Sequence, residues 1–183
     1  QDYATRSYFG RVNYAYDSRY LFEANFRYDG SSKFQPENCW AFFWGVSAGW
    51  RLSEEAFMKN LNIFDDLKLR VSYGTVGNQG GIDRYDGIQL YNFNQNKGAL
   101  IGGEKISYID TNGKLLSMDR EWETIQNYNI GLDFGLFGNR LKGTAELFWK
   151  VCENMLIDVS YPATLGDKAP TANVGSFKAN GFE

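Results

Sequence analysis

Hydrophobic and polar residues alternate at every second position through much of the chain. In the segment YLFEANFRYD (20–29), one set of alternate positions is apolar or aromatic, and the other is mostly polar or charged. The first set comprises Tyr20, Phe22, Ala24, Phe26 and Tyr28, and the second comprises Leu21, Glu23, Asn25, Arg27 and Asp29. Because successive side chains of a β-strand point to opposite faces, this segment predicts a strand with one aromatic face and one polar face.

The same alternation recurs and predicts six further strands. Five of them are YFGRVNYAY (8–16), FFWGVSAGWRL (42–52), LKLRVSY (67–73), NYNIGLDF (127–134) and RLKGTAELFWK (140–150), and a further strand is predicted around residues 155–161. Between strands, DSR (17–19) predicts a tight turn, and SEEAFMKNLNIFDD (53–66) predicts a short amphipathic helix with Ser53 as its N-cap. The chain is therefore predicted to be all-β and antiparallel.

The predicted connections alternate between short and long, apart from the intermediate, helix-bearing third one. Residues 17–19 and 135–140 form short links, whereas residues 29–40, about 74–120 and the stretch after 161 are long. A structureless connection of more than 40 residues is uncommon in a compact soluble domain. In outer-membrane barrels, by contrast, short turns lie on the periplasmic side and long loops lie outside.

Two architectures fit an alternating strand pattern. In a membrane barrel the apolar side chains meet lipid, and in a soluble lipocalin-like barrel they point to a core or a small ligand. The loop lengths favour the membrane barrel, as do aromatic residues near predicted strand ends, namely Tyr16, Tyr20, Trp50, Tyr73 and Phe134. The predicted fold is an antiparallel transmembrane β-barrel segment of about seven strands, with short turns inside and long loops outside. The soluble lipocalin-like barrel is the alternative.

Composition narrows the possible functions. The 183 residues carry a net charge of −3 without a basic block, which argues against nucleic acid as a partner. The mean hydropathy is −0.45, and no apolar run approaches the roughly 18 residues of a membrane helix. Histidine is absent, so a catalytic triad or a histidine-ligated metal site within this chain is excluded. Cys39 and Cys152 are predicted to be free thiols, although pairing stays possible.

Three short motifs suggest chemistry only weakly. DTNGK (110–114) resembles half of a calcium loop but lacks the remaining acidic ligands, and Asn112-Gly113 is better predicted as a type I′ hairpin turn. GTVGNQGG (74–81) has no lysine for a phosphate loop. Glu121 and Glu123 lie about 7 Å apart on one strand face, as in some glycosidases, but no pocket is evident. We therefore predict no enzyme, no metal and no cofactor.

Long stretches of the chain resemble one family of transporters. The quoted segments are YFGRVNYAYDSRYLFEANFRYDGSSKF, WAFFWGVSAGWRLSEEAFM, LKLRVSYGTVGNQ, WETIQNYNIGLDFGLFGNRLKGTAELFWK and NVGSFKANGFE. Together they resemble SusC/RagA-type TonB-dependent outer-membrane transporters over nearly the whole chain. The resemblance weakens between about residues 83 and 119, where outer loops vary.

The resemblance implies a barrel of about 22 strands with a plugged lumen. Residues 1–183 would form part of that barrel, incomplete at both ends and without the plug domain. The implied location is the outer membrane of a Gram-negative bacterium, in contact with lipid. The implied partners are a SusD-like surface lipoprotein and TonB, the latter acting through an absent N-terminal region. The implied function is uptake of oligosaccharides or peptides.

Substrate contacts are expected in the outer loops. Aromatic faces can stack on sugar rings or peptide side chains, and amide or carboxylate groups can form hydrogen bonds with either ligand. The candidate residues of the long fourth connection are Asn78, Gln79, Asp83, Arg84, Tyr85, Tyr91 and Asn92. The alternative is that these residues order the loop or contact neighbouring loops. Residues 17–19, 53–66 and 135–140 are predicted inside, and the loops around Ser31, residues 79–120 and Thr164 are predicted outside.

Overall fold

Seven long strands form one antiparallel sheet in the computed structural model of the protein. The structure describes residues 2–61, 63–82, 88–111, 120–160, 162, 164 and 171–183. Within these ranges the strands are β1 (Thr5–Tyr16), β2 (Tyr20–Ser31), β3 (Trp40–Arg51), β4 (Phe64–Asn78), β5 (Asn92–Asn94), β6 (Leu100–Ile101), β7 (Glu104–Lys105), β8 (Tyr108–Asp110), β9 (Glu123–Leu136), β10 (Leu141–Asp158) and β11 (Thr171–Phe182). The large sheet has the order β1-β2-β3-β4-β9-β10-β11. The predicted all-β antiparallel fold is confirmed.

The connections lie alternately at the two ends of this sheet. The described residues of connections 17–19, 52–63 and 137–140 lie at one end, here called the turn end, and those of connections 32–39, 79–122 and 159–170 lie at the other, the loop end. The connection 79–122 carries two small antiparallel pairs, β5 with β8 and β6 with β7. The links alternate between the two ends but not strictly in length, because the helix-bearing third link, residues 52–63, is longer than the second, residues 32–39.

The first turn shows how the short links fix strand pairing. Asp17 and Ser18 have φ values of 50° and 52°, and the Arg19 N–H donates to the Tyr16 carbonyl at 3.0 Å. Two left-handed central residues are the signature of a type I′ turn, whose twist matches that of a β-hairpin. Tyr16 and Tyr20 consequently face each other directly.

Three sequence predictions about element boundaries are wrong. The strand predicted around residues 155–161 is the end of β10, which runs to Asp158, and the seventh strand of the sheet is β11. The helix α1 (Ala56–Lys59) has Glu55 at its N-cap position, because Leu52–Glu54 forms a separate 3₁₀ turn that includes Ser53. The fourth connection begins only after Asn78, since β4 is longer than its alternating core.

Strand register places the alternating apolar positions on one face. A continuous row of directly opposed residues crosses all seven strands: Val12, Ala24, Val46, Tyr73, Tyr128, Trp149 and Asn180. The adjacent row on the other face consists of Asn13, Glu23, Ser47, Ser72, Asn129, Phe148 and Gly181. We call these surfaces the aromatic face and the polar face.

The aromatic face is largely uncovered. Val12 is 60% exposed, Phe26 48% and Ile130 41%. No large side chain in the described part of the chain is below 2% exposure. A soluble domain packs the apolar face of a sheet against another layer, so this face needs an apolar surrounding that the described residues do not supply.

Aromatic residues concentrate at two levels of this face. At the loop end, Trp40 stacks on Tyr28 at 4.9 Å between ring centroids, and at the turn end Trp50 stacks on Tyr20 at 6.2 Å. The positions of Trp40 and Trp50 on β3 correspond to about 33 Å of extended strand, or about 25 Å in height at a tilt of roughly 40°. This height matches the apolar band between the aromatic girdles of outer-membrane barrels.

A small hydrophobic cluster lies at the loop end. It consists of Phe34, Phe43, Ile82 and Trp122, with Cys39, Ala41 and Leu156 packed against it. Phe34 stacks on Trp122 at 4.7 Å, and Phe43 meets the edge of Trp122 at 5.8 Å. This cluster joins two connections, 32–39 and 79–122, to the strands β3 and β10. Cys39 and Cys152 are both free thiols, as predicted.

Gly77 provides a test of this cluster. A Cβ added at Gly77 would lie 2.1 Å from the Phe43 ring, which is only 5% exposed and therefore cannot swing away. We expect Gly77→Ala to lower the free energy of unfolding by about 1–3 kcal/mol through overpacking. Urea unfolding of the variant and the wild type measures the effect.

Gly74→Ala on the same strand is the matched control. Its added Cβ would meet only ordinary contacts, the nearest at 3.6 Å. Equal stability of the two variants would show that the Phe43 ring is not confined by its neighbours.

Candidate functional site

The polar face carries charged residues from β1, β2, β3, β4, β9 and β10 of the large sheet. Side chains of opposite charge face each other across strands or along them. Arg11 forms an ion pair with Glu23 at 2.6 Å, and Arg27 forms one with Asp29 at 2.7 Å. Opposite charges that face each other on a sheet stabilise strand pairing modestly. In both of these ion pairs the arginine neutralises the charge of its carboxylate partner.

The densest network lies near the middle of the polar face. Arg70 donates to both oxygens of Asp133, at 2.8 and 3.1 Å, and approaches Glu146 at 3.9 Å. The Thr144 hydroxyl donates to Asp133, and the Asn129 amide donates to Glu146. Three neighbouring strands, β4, β9 and β10, are joined by these contacts. Arg70 and Asp133 side chains stay 36% and 29% exposed, so the network borders an aqueous space.

A cavity of about 360 Å³ opens on the polar face at the loop end. Its lining combines polar groups with two aromatic rings. The lining residues include Ser7, Asn25, Arg27, Asp29, Thr75, Asn78, Gln79, Phe43 and Trp122. Small-molecule sites typically combine apolar walls with a few convergent polar groups, and this lining could contact a sugar or a peptide.

Glu123 fixes the rim of this cavity. Its side chain accepts a hydrogen bond from the Asn78 amide at 2.6 Å and from the Leu156 N–H at 2.9 Å. Glu123 is 8% exposed, and it thereby ties the ends of β4, β9 and β10 together. The adjacent Trp122 enters the hydrophobic cluster. Glu121 and Glu123 therefore do not act as the pair of carboxylates that a glycosidase would need, because the Glu123 carboxylate is held in a structural role.

The sequence-predicted substrate residues fall into three groups. Asn78 and Gln79 line the cavity. Tyr91 and Asn92 lie at the start of the small β5–β8 pair, with Tyr91 64% exposed, and neither lines the cavity. Asp83, Arg84 and Tyr85 lie outside the described residues.

Asn78 and Gln79 differ in their contacts. The Asn78 side chain is held by Glu123 and by the Gly80 N–H, which donates to Asn78 Oδ1 at 2.9 Å. For Asn78 the loop-ordering interpretation therefore has direct support. The Gln79 Oε1 atom is buried and has no hydrogen-bond partner among the residues that the structure describes.

Sequence reasoning missed the other cavity residues. The sequence indicates Arg27 and Asp29 only as polar residues of the β2 alternation, and it does not single out Trp122. Phe43 offered a usable signal, because it is the one bulky aromatic on an otherwise small and polar face of β3. An aromatic residue on the wrong face of an alternating strand indicates a local contact that the alternation does not explain.

The other motifs give no site in the described part of the chain. The proposed hairpin turn at Asn112-Gly113 lies outside the described residues. Among the residues that are described, no cluster of three or more metal-ligating side chains occurs. None of their helical segments has the length and apolarity needed to span a bilayer.

Comparison with known proteins gives consistent matches over the whole chain. A family model described as TonB dependent receptor-like, beta-barrel, matches residues 1–183. The TonB-dependent receptor SusC of Bacteroides thetaiotaomicron is 36% identical over 186 residues, covering 99% of this chain and 18% of that protein. The TonB-dependent receptor P26 of Formosa agariphila is 36% identical over 182 residues, covering 97% of this chain and 17% of that protein.

Solved structures agree with these matches. The RagAB peptide importer in its open-open state superposes with a TM-score of 0.85 at 32% identity, covering 98% of this chain and 19% of the matched chain. The siderophore receptor PirA from Pseudomonas aeruginosa superposes with a TM-score of 0.62 at 14% identity, covering 99% of this chain and 30% of the matched one, which supports the fold alone. The chain thus spans about a fifth of the length of the SusC, P26 and RagAB proteins it matches.

Glu123 should be the stabilising member of the two neighbouring glutamates. Glu123→Ala leaves the half-buried Leu156 N–H and the Asn78 amide without their acceptor, and we expect a loss of about 1–3 kcal/mol in the free energy of unfolding. Glu121→Ala removes only a 3.4 Å contact to the Asn154 amide and should cost less than about 0.5 kcal/mol. Denaturant unfolding of the full-length variants measures both. A larger loss for Glu121→Ala would contradict the assigned role.

Proposed function

Because the chain belongs to the family of TonB-dependent receptor-like β-barrels, we propose that it forms part of the wall of an outer-membrane transporter for oligosaccharides or peptides. The observation that carries the proposal is the separation of the two faces. One continuous sheet presents an uncovered aromatic face with girdles at two levels, and a polar face with paired charges. A wall between lipid and a water-filled lumen requires this arrangement.

The proposed orientation follows from the same separation. The aromatic face meets the lipid of a Gram-negative outer membrane, and the polar face lines the lumen. The turn end lies in the periplasm and the loop end lies outside, since short turns face the periplasm in such barrels. Residues 1–183 are proposed to be one segment of a larger barrel domain.

Energised uptake needs no chemical step on the substrate. It needs a hydrated passage, a recognition surface at the outer end and a coupling to TonB, which would act elsewhere in the protein. A SusD-like lipoprotein is the proposed partner at the loop end. The RagAB structures are those of a peptide importer, which supports peptides as a substrate class, and the mixed aromatic and polar cavity would also suit oligosaccharides.

We propose the loop-end cavity as a substrate-contacting surface. Gln79 belongs to it through its unpartnered buried oxygen, which a small movement of the side chain would present to a ligand. Asn78 contributes to the rim. Asp83, Arg84, Tyr85, Tyr91 and Asn92 remain proposed contacts of the longer outer loop. No cofactor is proposed to take part.

Substitutions at Ala24 and Asn25 test which side faces lipid. Ala24 lies mid-strand on the aromatic face, opposite Val12 and Val46, and Asn25 lies on the polar face. Ala24→Arg in the full-length transporter should cost roughly 2–4 kcal/mol, because a charge would meet the bilayer interior. Asn25→Arg should leave the barrel assembled. Outer-membrane protein levels and urea unfolding provide the measurements.

Ala24→Leu separates the membrane barrel from the soluble alternative. A larger apolar side chain fits against fluid lipid, whereas it would overpack a filled core by about 1–3 kcal/mol. We therefore expect Ala24→Leu to retain wild-type stability. A clear destabilisation by this variant would show that protein, and not lipid, covers the aromatic face.

Asp29 and Glu23 form a matched pair for testing the cavity. Both are carboxylates on the polar face of β2, and each is paired with an arginine, but only Asp29 lines the loop-end cavity. We expect Asp29→Asn to weaken substrate binding about tenfold, the loss of one charged hydrogen bond of about 1.4 kcal/mol. Glu23→Gln should bind as the wild type does.

The measurement is calorimetric titration of the purified full-length transporter, with a ligand first selected from oligosaccharide and peptide panels. Equal affinities for the two variants and the wild type would exclude the cavity as a substrate contact. Equal losses in both variants would indicate a general effect of charge on the polar face.

A further inference from the structure

The connection between β3 and β4 folds onto the aromatic side of the sheet. Glu55 Oε1 accepts hydrogen bonds from the Tyr20 hydroxyl at 2.8 Å and from the Trp50 indole N–H at 3.1 Å. Tyr20 and Trp50 are the opposed residues of the turn-end girdle. Because both side chains project from the aromatic face, the Glu55 carboxylate lies on that same side.

Glu55 is a firm anchor for this connection. Its second oxygen, Oε2, accepts from Arg19 at 3.4 Å, and the side chain is only 14% exposed. The hydrogen bonds from Tyr20 and Trp50, together with the Arg19 charge, lower the pKa of Glu55 below its usual value. The carboxylate therefore stays ionised and keeps accepting these hydrogen bonds at neutral pH.

The residues that follow Glu55 expose large apolar side chains. Phe57 is 56% exposed, Leu61 55% and Ile63 56%. The charged Lys59 of the same segment forms an ion pair with Glu54 at 2.7 Å. In the neighbouring turn, Phe137 is 74% exposed. Exposed apolar side chains therefore continue beyond the aromatic girdle at the turn end.

We propose that residues 55–61 and 63 form a membrane-interface segment whose Phe57, Leu61 and Ile63 insert into the periplasmic leaflet of the outer membrane. The inference rests on the proposed function, in which the aromatic face meets lipid. The lipid bilayer is the surrounding that we propose for this segment. Glu55 accepts hydrogen bonds from two residues of the girdle, and it therefore holds the segment against the bilayer that the girdle meets. Tyrosine and tryptophan place their polar tips at the headgroup level, and Glu55 accepts from those tips.

The apolar residues of such a segment need to reach only the boundary between headgroups and acyl chains. Interfacial segments bind there through an apolar side, with their charged side turned to water. Phe57, Leu61 and Ile63 provide the apolar side, and the Glu54–Lys59 ion pair provides the charged side. The connection would then act as a lateral brace that sets the depth of β3 and β4 in the membrane.

Spin labels on the full-length transporter in phosphatidylethanolamine–phosphatidylglycerol vesicles test this placement. Single labels are introduced by Phe57→Cys and Leu61→Cys in a background lacking other reactive cysteines, with Cys39 and Cys152 replaced by serine. Power saturation compares the accessibility of each label to oxygen, which partitions into lipid, and to a water-soluble nickel complex. We expect oxygen to dominate at both positions.

Two reference labels make the outcomes distinguishable. Ala24→Cys reports the aromatic face at mid-strand, and Asp17→Cys reports the turn between β1 and β2, which should be accessible to nickel. If the Ala24 label is lipid-exposed while both segment labels are accessible to nickel, the interface segment is refuted and the proposed function stands. Low accessibility to both reagents at residues 57 and 61 would mean that protein covers them, which also refutes it. Nickel access at the Ala24 label would refute the proposed function itself.

The anchor is tested in the same assay. Glu55→Ala removes the acceptor shared by Tyr20 and Trp50, and the label at Phe57→Cys should shift from oxygen towards nickel accessibility. Glu55→Gln retains a carbonyl acceptor and should keep most of the oxygen accessibility. An unchanged label in Glu55→Ala would show that Glu55 does not hold the segment at the membrane.

Discussion

The strand register is the constraint on which the two faces depend. In β1, β2 and β3 the aromatic face is formed by even-numbered residues, in β4 by odd-numbered ones, in β9 by even-numbered ones and in β10 by odd-numbered ones. Since side chains alternate with a period of two, a slip of one residue in any pair would exchange that strand's faces. Glu23, Arg70 or Asp133 would then lie among the apolar side chains. The connections must therefore supply the correct spacing as well as reverse the chain.

The two ends of the sheet use different interactions to hold that register. At the turn end, the two-residue turn at Asp17 and Ser18 and the carboxylate of Glu55 fix the first strands through hydrogen bonds. At the loop end, a β-bulge in β10 near Asn154 interrupts the ladder. Glu123 accepts the N–H of Leu156 just beyond this bulge. Bulges redirect a strand where a site is built, and here the bulge adjoins the hydrophobic cluster and the cavity rim.

The sequence was sufficient for the strands that alternate without interruption, and insufficient for those that do not. In β11 the aromatic face carries Lys178 and Asn180, while Phe177 lies on the polar face, so that strand has no clear period. Residues 155–158 retain an apolar appearance beyond the bulge, and they were therefore mistaken for a separate strand. Ser53 was predicted as a cap from its type alone, whereas the chain begins α1 later because Glu55 is held by the girdle.

The candidate site was harder to predict because its residues are brought together from distant segments. Phe43 and Trp122 meet because β3 diverges from β4 beyond the pair Gly45 and Gly74. At this point the Thr75 hydroxyl replaces a backbone partner of Trp44. It accepts from the Trp44 N–H and donates to the Trp44 carbonyl. No local sequence pattern predicts this divergence of the two strands. Gln79 was predicted because it belongs to the long fourth connection, and Arg27 was not singled out because paired charges on a polar face look alike in sequence.

The distribution of paired charges also determines where recognition can occur. At mid-height, Arg70 is matched by Asp133 and Glu146, and Arg11 is matched by Glu23, so these groups present little net charge to a passing solute. In the proposed transporter, mid-height charges that are already paired would hold a substrate weakly, which suits a passage from which the substrate must leave again. At the loop end, aromatic rings lie beside Arg27 and Asp29, and an unpartnered oxygen of Gln79 lies nearby. Arg27 and Asp29 are also paired with each other, so under the proposed function it is the aromatic rings and the Gln79 oxygen that would concentrate affinity at the outer rim.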